Sequence, residues 1–380
     1  MKFLLFLYGI FFALPLTSLN ILPGGIKIDD IILFCLIPTL PIVVYQKDKC
    51  LKISLGYVLF LFLTLIFSFV SFYKGAAATD LYMGDSPYTV ISRVIQTVLI
   101  VTLLMFIKGA SITLKPFFKG YVLSASLSLL IFFSYYFSKV DLASFSSRGV
   151  YFAKDIFQYN DDLPFTVHVN TLGSFFLIAF FIIKSNFKRF DIFSYLFLIP
   201  SFLLISKGDI LAILVYFAYV FYKKNNLTSL LVILTSFFLV MVSPLLYDMY
   251  MGLAQYRVYT SGRDELYEGA ISSILNNPMG YGLGMQNNVL WQVTGIDFPA
   301  HNIFLSIGLE WGMVYLVCSL IFLTLGVYAS NPKNRIIFLS FLIIGLFGNA
   351  MYFYKFHSLA LALSLFGLWY IPKTKMKMVE

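Results

Sequence analysis

Charge is scarce in this sequence, and so are the residues that build metal and redox sites. Only 12% of residues are Asp, Glu, Lys or Arg, while 60% are hydrophobic. A soluble globular chain is about 25% charged and about 45–50% apolar, so an ordinary water-soluble domain is excluded. The chain has 3 histidines and 3 cysteines. Cys35, Cys50 and Cys318 are scattered, with no CxxC and no Cys/His cluster, which argues against a disulfide framework or a structural zinc. There is no P-loop, no GxGxxG and no HExxH. The acidic pairs Asp29-Asp30 and Asp161-Asp162 form no DxD. Neither a nucleotide-driven nor a metal-hydrolase mechanism is expected, and no cofactor. A net charge of +9 raises the question of nucleic acid. No basic, aromatic-interleaved soluble segment answers it, so no nucleic-acid partner is expected. Internal repeats and inverted-repeat symmetry are also missing.

What is present is a series of apolar runs, several longer than the ~18 residues that mark a spanning helix. They predict spans at 3–19, 29–46, 53–73, 87–107, 114–138, 166–184, 190–206, 209–222, 227–247, 300–329, 335–353 and 357–371. The expected fold is all-α: one polytopic membrane bundle over 1–380, with about 12 spans in a range of roughly 10–13. Met1-Lys2 and the apolar run to Thr17-Ser18 have the outline of a signal peptide. An uncleaved first helix is the preferred reading. The 42 Phe and 26 Tyr are expected to face lipid and to form interface belts.

Orientation follows from Lys/Arg asymmetry. With the N-terminus inside, the inside segments hold Lys2, Lys47, Lys49, Lys52, Lys108, Lys115, Lys119, Lys184, Lys188, Arg189, Lys223, Lys224, Lys333, Arg335, Lys373, Lys375 and Lys377, which is 17 of the 27 basic residues. Asp48, Asp191 and Glu380 are the only inside carboxylates. Both termini are therefore expected in the cytoplasm. Two long segments, 139–165 and 248–299, fall outside. Loops beyond about 12–15 residues are usually functional or disordered, and these carry aromatics, glycine turns and charges rather than low-complexity sequence.

The second loop contains a helical pattern. Ser261 and Asp264 fit a capping signal. Leu266, Ala270 and Ile274 repeat every four residues, as do Tyr267, Ile271 and Leu275, and together they predict one apolar face of a short amphipathic helix at the membrane surface. Asn276-Asn277-Pro278 should end it. Gly280, Gly282 and Gly284 follow as a flexible or tightly turned strip.

Polar candidates gather on the outer side. His301 starts the tenth span, where a histidine can exchange protons near neutral pH; a helix-start residue without chemistry is the alternative. Arg263 opens the amphipathic helix, where free N–H groups and a guanidinium would together clamp a pyrophosphate; a solvated arginine paired with Asp264 or Glu268 is the alternative. Lys207 lies in a tight outer turn, as a phosphate contact or a snorkelling lysine. Arg148 is a weaker candidate in the first long loop. Arg93 and Glu310 are intramembrane charges, costly without partners, and are expected either to pair or to face a polar cavity. Read as one continuous helix, His301 and Glu310 would lie about 13 Å apart along the axis.

Four strings carry a resemblance: His168-Val169-Asn170-Thr171-Leu172-Gly173; Ser206-Lys207-Gly208; Ser261-Gly262-Arg263 with Asn277-Pro278-Met279-Gly280-Tyr281-Gly282-Leu283-Gly284; and His301-Asn302 with Leu305, Glu310 and Gly312. In this order they resemble the O-antigen polymerase and O-antigen ligase superfamily of bacterial membrane glycosyltransferases, over roughly residues 165–329. Lys207 stands where that family usually has arginine, and so loses the bidentate fork. The resemblance implies an undecaprenyl-diphosphate-linked oligosaccharide as donor, used at the periplasmic face of the inner membrane without metal or nucleotide. It implies His301 as base or acceptor-orienting residue and Arg263 with Lys207 on the pyrophosphate. Arg148 and Asn302 would contact glycan or pyrophosphate. A chain-length regulator is a conceivable partner besides membrane lipid. Polymerase is the favoured reading, on a short chain rich in Phe, Tyr, Ile and Lys. The rivals are an O-antigen ligase and a flippase for lipid-linked glycans.

Overall fold

The structure is a computed structural model and describes residues 1–12, 14–16, 28–46, 55–78, 85–109, 113–140, 156–157, 164–165, 169–204, 206–223, 263–329, 339 and 342–345. The elements are α1 (Lys2–Phe11), α2 (Ile28–Gln46), α3 (Leu55–Ala78), α4 (Pro87–Gly109), α5 (Lys115–Lys139), α6 (Val169–Asn186), α7 (Ile199–Leu203), α8 (Lys207–Lys223), α9 (Arg263–Asn276), α10 (Gln286–Thr294), α11 (Ile303–Trp311) and α12 (Met313–Ala329). The described residues contain no strand, only an isolated bridge between Leu16 and Phe165. Among the described residues, three helical stretches, Leu61–Ala78, Pro87–Leu104 and Lys115–Lys139, are long and apolar enough to cross a membrane. The expected spans at 227–247 and 357–371, and most of 335–353, lie outside the described residues.

The bundle is arranged inside-out relative to a water-soluble one. On α3 the exposed positions include Leu59, Phe62, Ile66, Phe69 and Tyr73, spaced three and four apart, with Leu65 and Val70 beside them and Phe69 at 71% exposure. The opposite face buries Thr64, Ser68 and Ser71, with Ser68 at 1%. α5 repeats the arrangement: Leu123, Leu127, Leu130 and Phe137 face out, while Ser124 and Ser128 are buried. In water such stripes would be a large apolar patch. Against lipid tails they cost nothing, and buried hydroxyls hold helices together. These helices fit a membrane-embedded protein.

Small residues let the helices approach. α1 and α5 meet where Gly9 lies on the Phe117 carbonyl and Gly120 lies on the Phe6 carbonyl, so neither glycine has room for a Cβ. Around this contact Tyr8, Phe12, Phe117 and Tyr121 are buried ring on ring. Tyr121 donates its hydroxyl to the Phe175 carbonyl at 2.9 Å. Phe132 stacks on Phe157 at 4.4 Å and meets Phe176 edge-on. Many phenylalanines expected to face lipid therefore form the bundle's interior.

Three expected spans come out differently. α1 stops at Phe11 with an extended Phe12, and Pro15 follows; a proline disfavours helical geometry at the residue before it and cannot donate into a helix. The expected span at 190–206 is instead two 3-10 turns, Lys188–Phe190 and Phe193–Leu198, joined to the five-residue α7. Pro200 sits in the first turn of α7, a position that tolerates its missing N–H, and it cannot donate back into the preceding 3-10 turn. Finally, 300–329 is two helices, α11 and α12, separated at Gly312, which has φ 90° and ψ 170°.

Candidate functional site

The break at Gly312 and the glycine strip explain each other. A helix end leaves backbone groups unpaired, and here a neighbouring segment satisfies them. The Tyr281 amide donates to the Leu309 carbonyl at 2.7 Å, and the Gly282 amide to the Glu310 carbonyl at 3.2 Å. The Met313 amide, which starts α12, donates to the Pro278 carbonyl at 2.7 Å. On its other side the strip is held by α3. The Leu283 amide donates to the Ser71 carbonyl at 2.9 Å, and Lys74 Nζ donates to the Met279 carbonyl at 2.9 Å. Gly280, Gly282 and Gly284 all have positive φ, a region open to glycine without a Cβ clash. Backbone atoms of Gly312, Gly75 and Asp85 press where their side chains would be. The strip is thus tightly turned rather than loose.

α9, α10 and α11 form a small unit around this strip, with its own core of Leu266, Ala270, Ile274, Val289, Leu290, Ala300 and Leu309. α9 ends at Asn276, as Asn277-Pro278 predicts. Its Leu266, Ala270 and Ile274 stripe is buried, whereas Ile271 and Leu275 are exposed. The expectation of one shared apolar face is corrected: adjacent stripes are about 100° apart on a helix, and α10 and α11 cover only one of them. Met279, Trp291 and Phe298 are exposed too, so this unit presents apolar side chains outward.

His301 stands before α11, not within it. Its φ is 50°, and its ring lies 6.1 Å from that of Phe298. A non-glycine residue with positive φ is uncommon and directs its side chain away from the ordinary helix path. Asn302 is the N-cap of α11: its side-chain oxygen accepts from the Phe304 amide at 2.9 Å and the Leu305 amide at 3.3 Å. Arg263 is the first residue of α9 and is partly exposed. The expected cap at Ser261 lies outside the described residues. α9 and α11 touch near their C-terminal ends, where Gly308 accommodates the Ile274 side chain. Both ends then meet the 278–282 strip.

Arg93 and Glu310 take separate hydrogen-bond partners. Arg93 is ion-paired with Asp85 at 2.6 Å, and both side chains are partly exposed. Glu310 is fully buried, and its Oε1 accepts from the Gly284 amide at 3.2 Å.

A second node joins the other two motif strings. Asp209, in the first turn of α8, is fully buried, and its Oδ1 accepts from Ser174 Oγ of α6 at 2.7 Å. Its other carboxylate oxygen occupies the space that a side chain on Gly173 would need. Ser206 contributes a further side-chain hydrogen bond. An acidic residue in a helix's first turn also opposes the positive dipole end. Gly173 therefore lies against Ser206 and against Asp209, one residue past the Ser206-Lys207-Gly208 string. Lys207 opens α8 there, with its side chain outside the described part. Arg148 lies outside the described residues.

Sequence reasoning missed Asp209 with Ser174, the buried Ser306–Gln286 hydrogen bond at 3.0 Å, and the polar face of α3. The last had a signal. Thr64, Ser68, Ser71 and Gly75 recur at four, three and four residues, a small-residue stripe of the kind that marks helix–helix contact in membranes. Trp311 Nε1 donates to Ser68 Oγ at 3.2 Å on that stripe, and Thr64 Oγ1 shares a hydrogen bond with the Tyr315 hydroxyl at 3.1 Å. No family model, curated protein or solved structure matches the chain.

Proposed function

We propose that the chain is a membrane glycosyltransferase of the O-antigen polymerase type. It joins undecaprenyl-diphosphate-linked oligosaccharide units at the periplasmic face of a bacterial inner membrane, within a bundle of about twelve spans whose termini are both cytoplasmic. One observation carries this reading: described residues from the four strings behind the resemblance meet in two pairs. Gly173 lies against Ser206 and against Asp209, which directly follows the Ser206-Lys207-Gly208 string, and the glycine strip lies on the Glu310–Gly312 break. Strings tens of residues apart that lock together through backbone and buried carboxylates behave as one assembled motif.

The chemistry needs little from the protein. An acceptor hydroxyl attacks the anomeric carbon of the donor sugar, and a new glycosidic C–O bond forms. The bond to the lipid diphosphate breaks, the diphosphate leaves with the bonding electron pair, and the hydroxyl proton passes to a base. His301, held at a positive φ beside the start of α11, is assigned that proton. Arg263, at the N-terminus of α9, is assigned the leaving diphosphate, where a guanidinium and a helix N-terminus act on the same negative charge. Lys207 at the start of α8 is a second cation for that charge.

The test is purified protein in proteoliposomes with lipid-linked oligosaccharide and no ion gradient. Polymer on the lipid carrier supports the reading. Glycan transfer only when lipid A-core is supplied would make the protein a ligase. No covalent product, with translocation of the lipid-linked glycan, would make it a transporter. His301→Ala or Arg263→Ala retaining polymer at normal protein level would remove those residues from their assigned roles.

A further inference from the structure

We infer that Glu310 is a positioning residue: its carboxyl group fastens the glycine strip across the break between α11 and α12, and so fixes α9, which Arg263 opens, and α11, which His301 precedes. Its consequence for activity rests on the glycosyl-transfer reading above; the fastening itself does not.

Glu310 holds the strip twice. Its main-chain carbonyl accepts from the Gly282 amide at 3.2 Å, and its side-chain Oε1 accepts from the Gly284 amide at 3.2 Å. The residue is fully buried, and Oε2 has no hydrogen-bond partner among the described residues. The charged groups around it come from other elements. Asp85, just before α4, and Arg93, in its second turn, pair with each other, and Lys74 of α3 is bonded to the Met279 and Gly280 carbonyls. What the site uses is therefore an acceptor for the Gly284 amide, which is buried with its residue. A buried amide without an acceptor is costly.

The strip continues directly from the end of α9 and sits on the end of α11. Losing its anchor at residue 284 would loosen both helices together. Gln286, two residues further on, bonds Ser306 of α11 at 3.0 Å, so the same displacement would reach the middle of α11.

The variants are Glu310→Gln, Glu310→Asp and Glu310→Met, each read in two ways in lipid nanodiscs. Amide hydrogen exchange over 280–285 reports the fastening, and polymer formed on lipid-linked oligosaccharide reports the consequence. Glu310→Gln keeps an accepting oxygen at the same reach and should stay within about threefold of wild type in both readouts. Glu310→Asp keeps the charge but draws the oxygen back by one methylene. It should exchange about tenfold faster at Gly284 and lose polymer in parallel, as leaving a buried amide without its acceptor implies. Glu310→Met should do at least as much. Should Met fail to accumulate, the ranking of Gln above Asp still decides. Asp retaining polymer while Gln loses it would overturn the inference in favour of a role for the charge. Unchanged exchange in Met would overturn it outright. A wild-type protein that forms no polymer yet shows this exchange pattern would sink the glycosyltransferase reading and leave the fastening standing.

Discussion

Gly312→Ala should be among the most damaging single-methyl additions in this protein. Two costs add at this position. The backbone is at φ 90° and ψ 170°, a region essentially reserved for glycine, which costs another residue about 1–3 kcal/mol. The added Cβ would also meet the Met279 carbonyl carbon at 2.7 Å and the Pro278 oxygen at 2.8 Å. Both are backbone atoms, so no flexible side chain can yield, and overpacking of this kind costs a further ~1–3 kcal/mol. Relief requires the strip to retreat, which stretches the bonds from Tyr281 to Leu309 and from Met313 to Pro278. The expected total is about 2–6 kcal/mol. The molecule supplies its own control. Gly295 also has a positive φ, 72°, but nothing lies within 4 Å of its would-be Cβ, so Gly295→Ala bears only the backbone cost of about 1–2 kcal/mol. Reversible unfolding of both variants in mixed micelles, alongside wild type, measures the difference. If Gly312→Ala falls within about 1 kcal/mol of Gly295→Ala, the close approach of strip and helix break is wrong.

Other outcomes follow from the same contacts. Ser68→Ala should cost about 1 kcal/mol by removing the oxygen to which Trp311 donates, whereas Phe69→Leu on the exposed stripe should cost less than about half that, read by the same unfolding assay. Asp209→Ala and Gly173→Ala should each destabilise by about 2 kcal/mol, but the double variant by clearly less than the sum, because both act on one buried node. Additive losses would separate the two residues. Trp291 is exposed on α10; with the other two tryptophans replaced by Phe, its fluorescence should be quenched by lipids brominated along the acyl chain, and unquenched emission would remove the α9–α11 unit from the membrane surface.

Much of the fold was legible because helix formation in a membrane is a local matter. An apolar run of sufficient length must pair its backbone within itself, and α2, α3, α4 and α5 appear where their runs predict. The end of α9 at Asn276 was equally local, since proline cannot continue a helix. Prolines also marked, unread, the shortened α1 and the 3-10 path into α7. Facing was harder. Every side of α3 is apolar enough for lipid, so hydrophobicity could not choose between them. Its small hydroxyl residues did, through partners as distant as Trp311 and Tyr315.

The sequence by itself determined that this chain is helical, with helices long and apolar enough for a membrane, that a short helix ends at Asn276, and which polar residues stand apart from the apolar background. Only the tertiary structure decided that the run through Gly312 is two helices. A break there is stable because amides from Tyr281 and Gly282, some thirty residues earlier in the chain, take the carbonyls it frees. It also decided that Arg93 pairs with Asp85 while Glu310 binds Gly284. Those choices depend on which groups are brought within about 3 Å of one another, a distance that no spacing along the chain encodes.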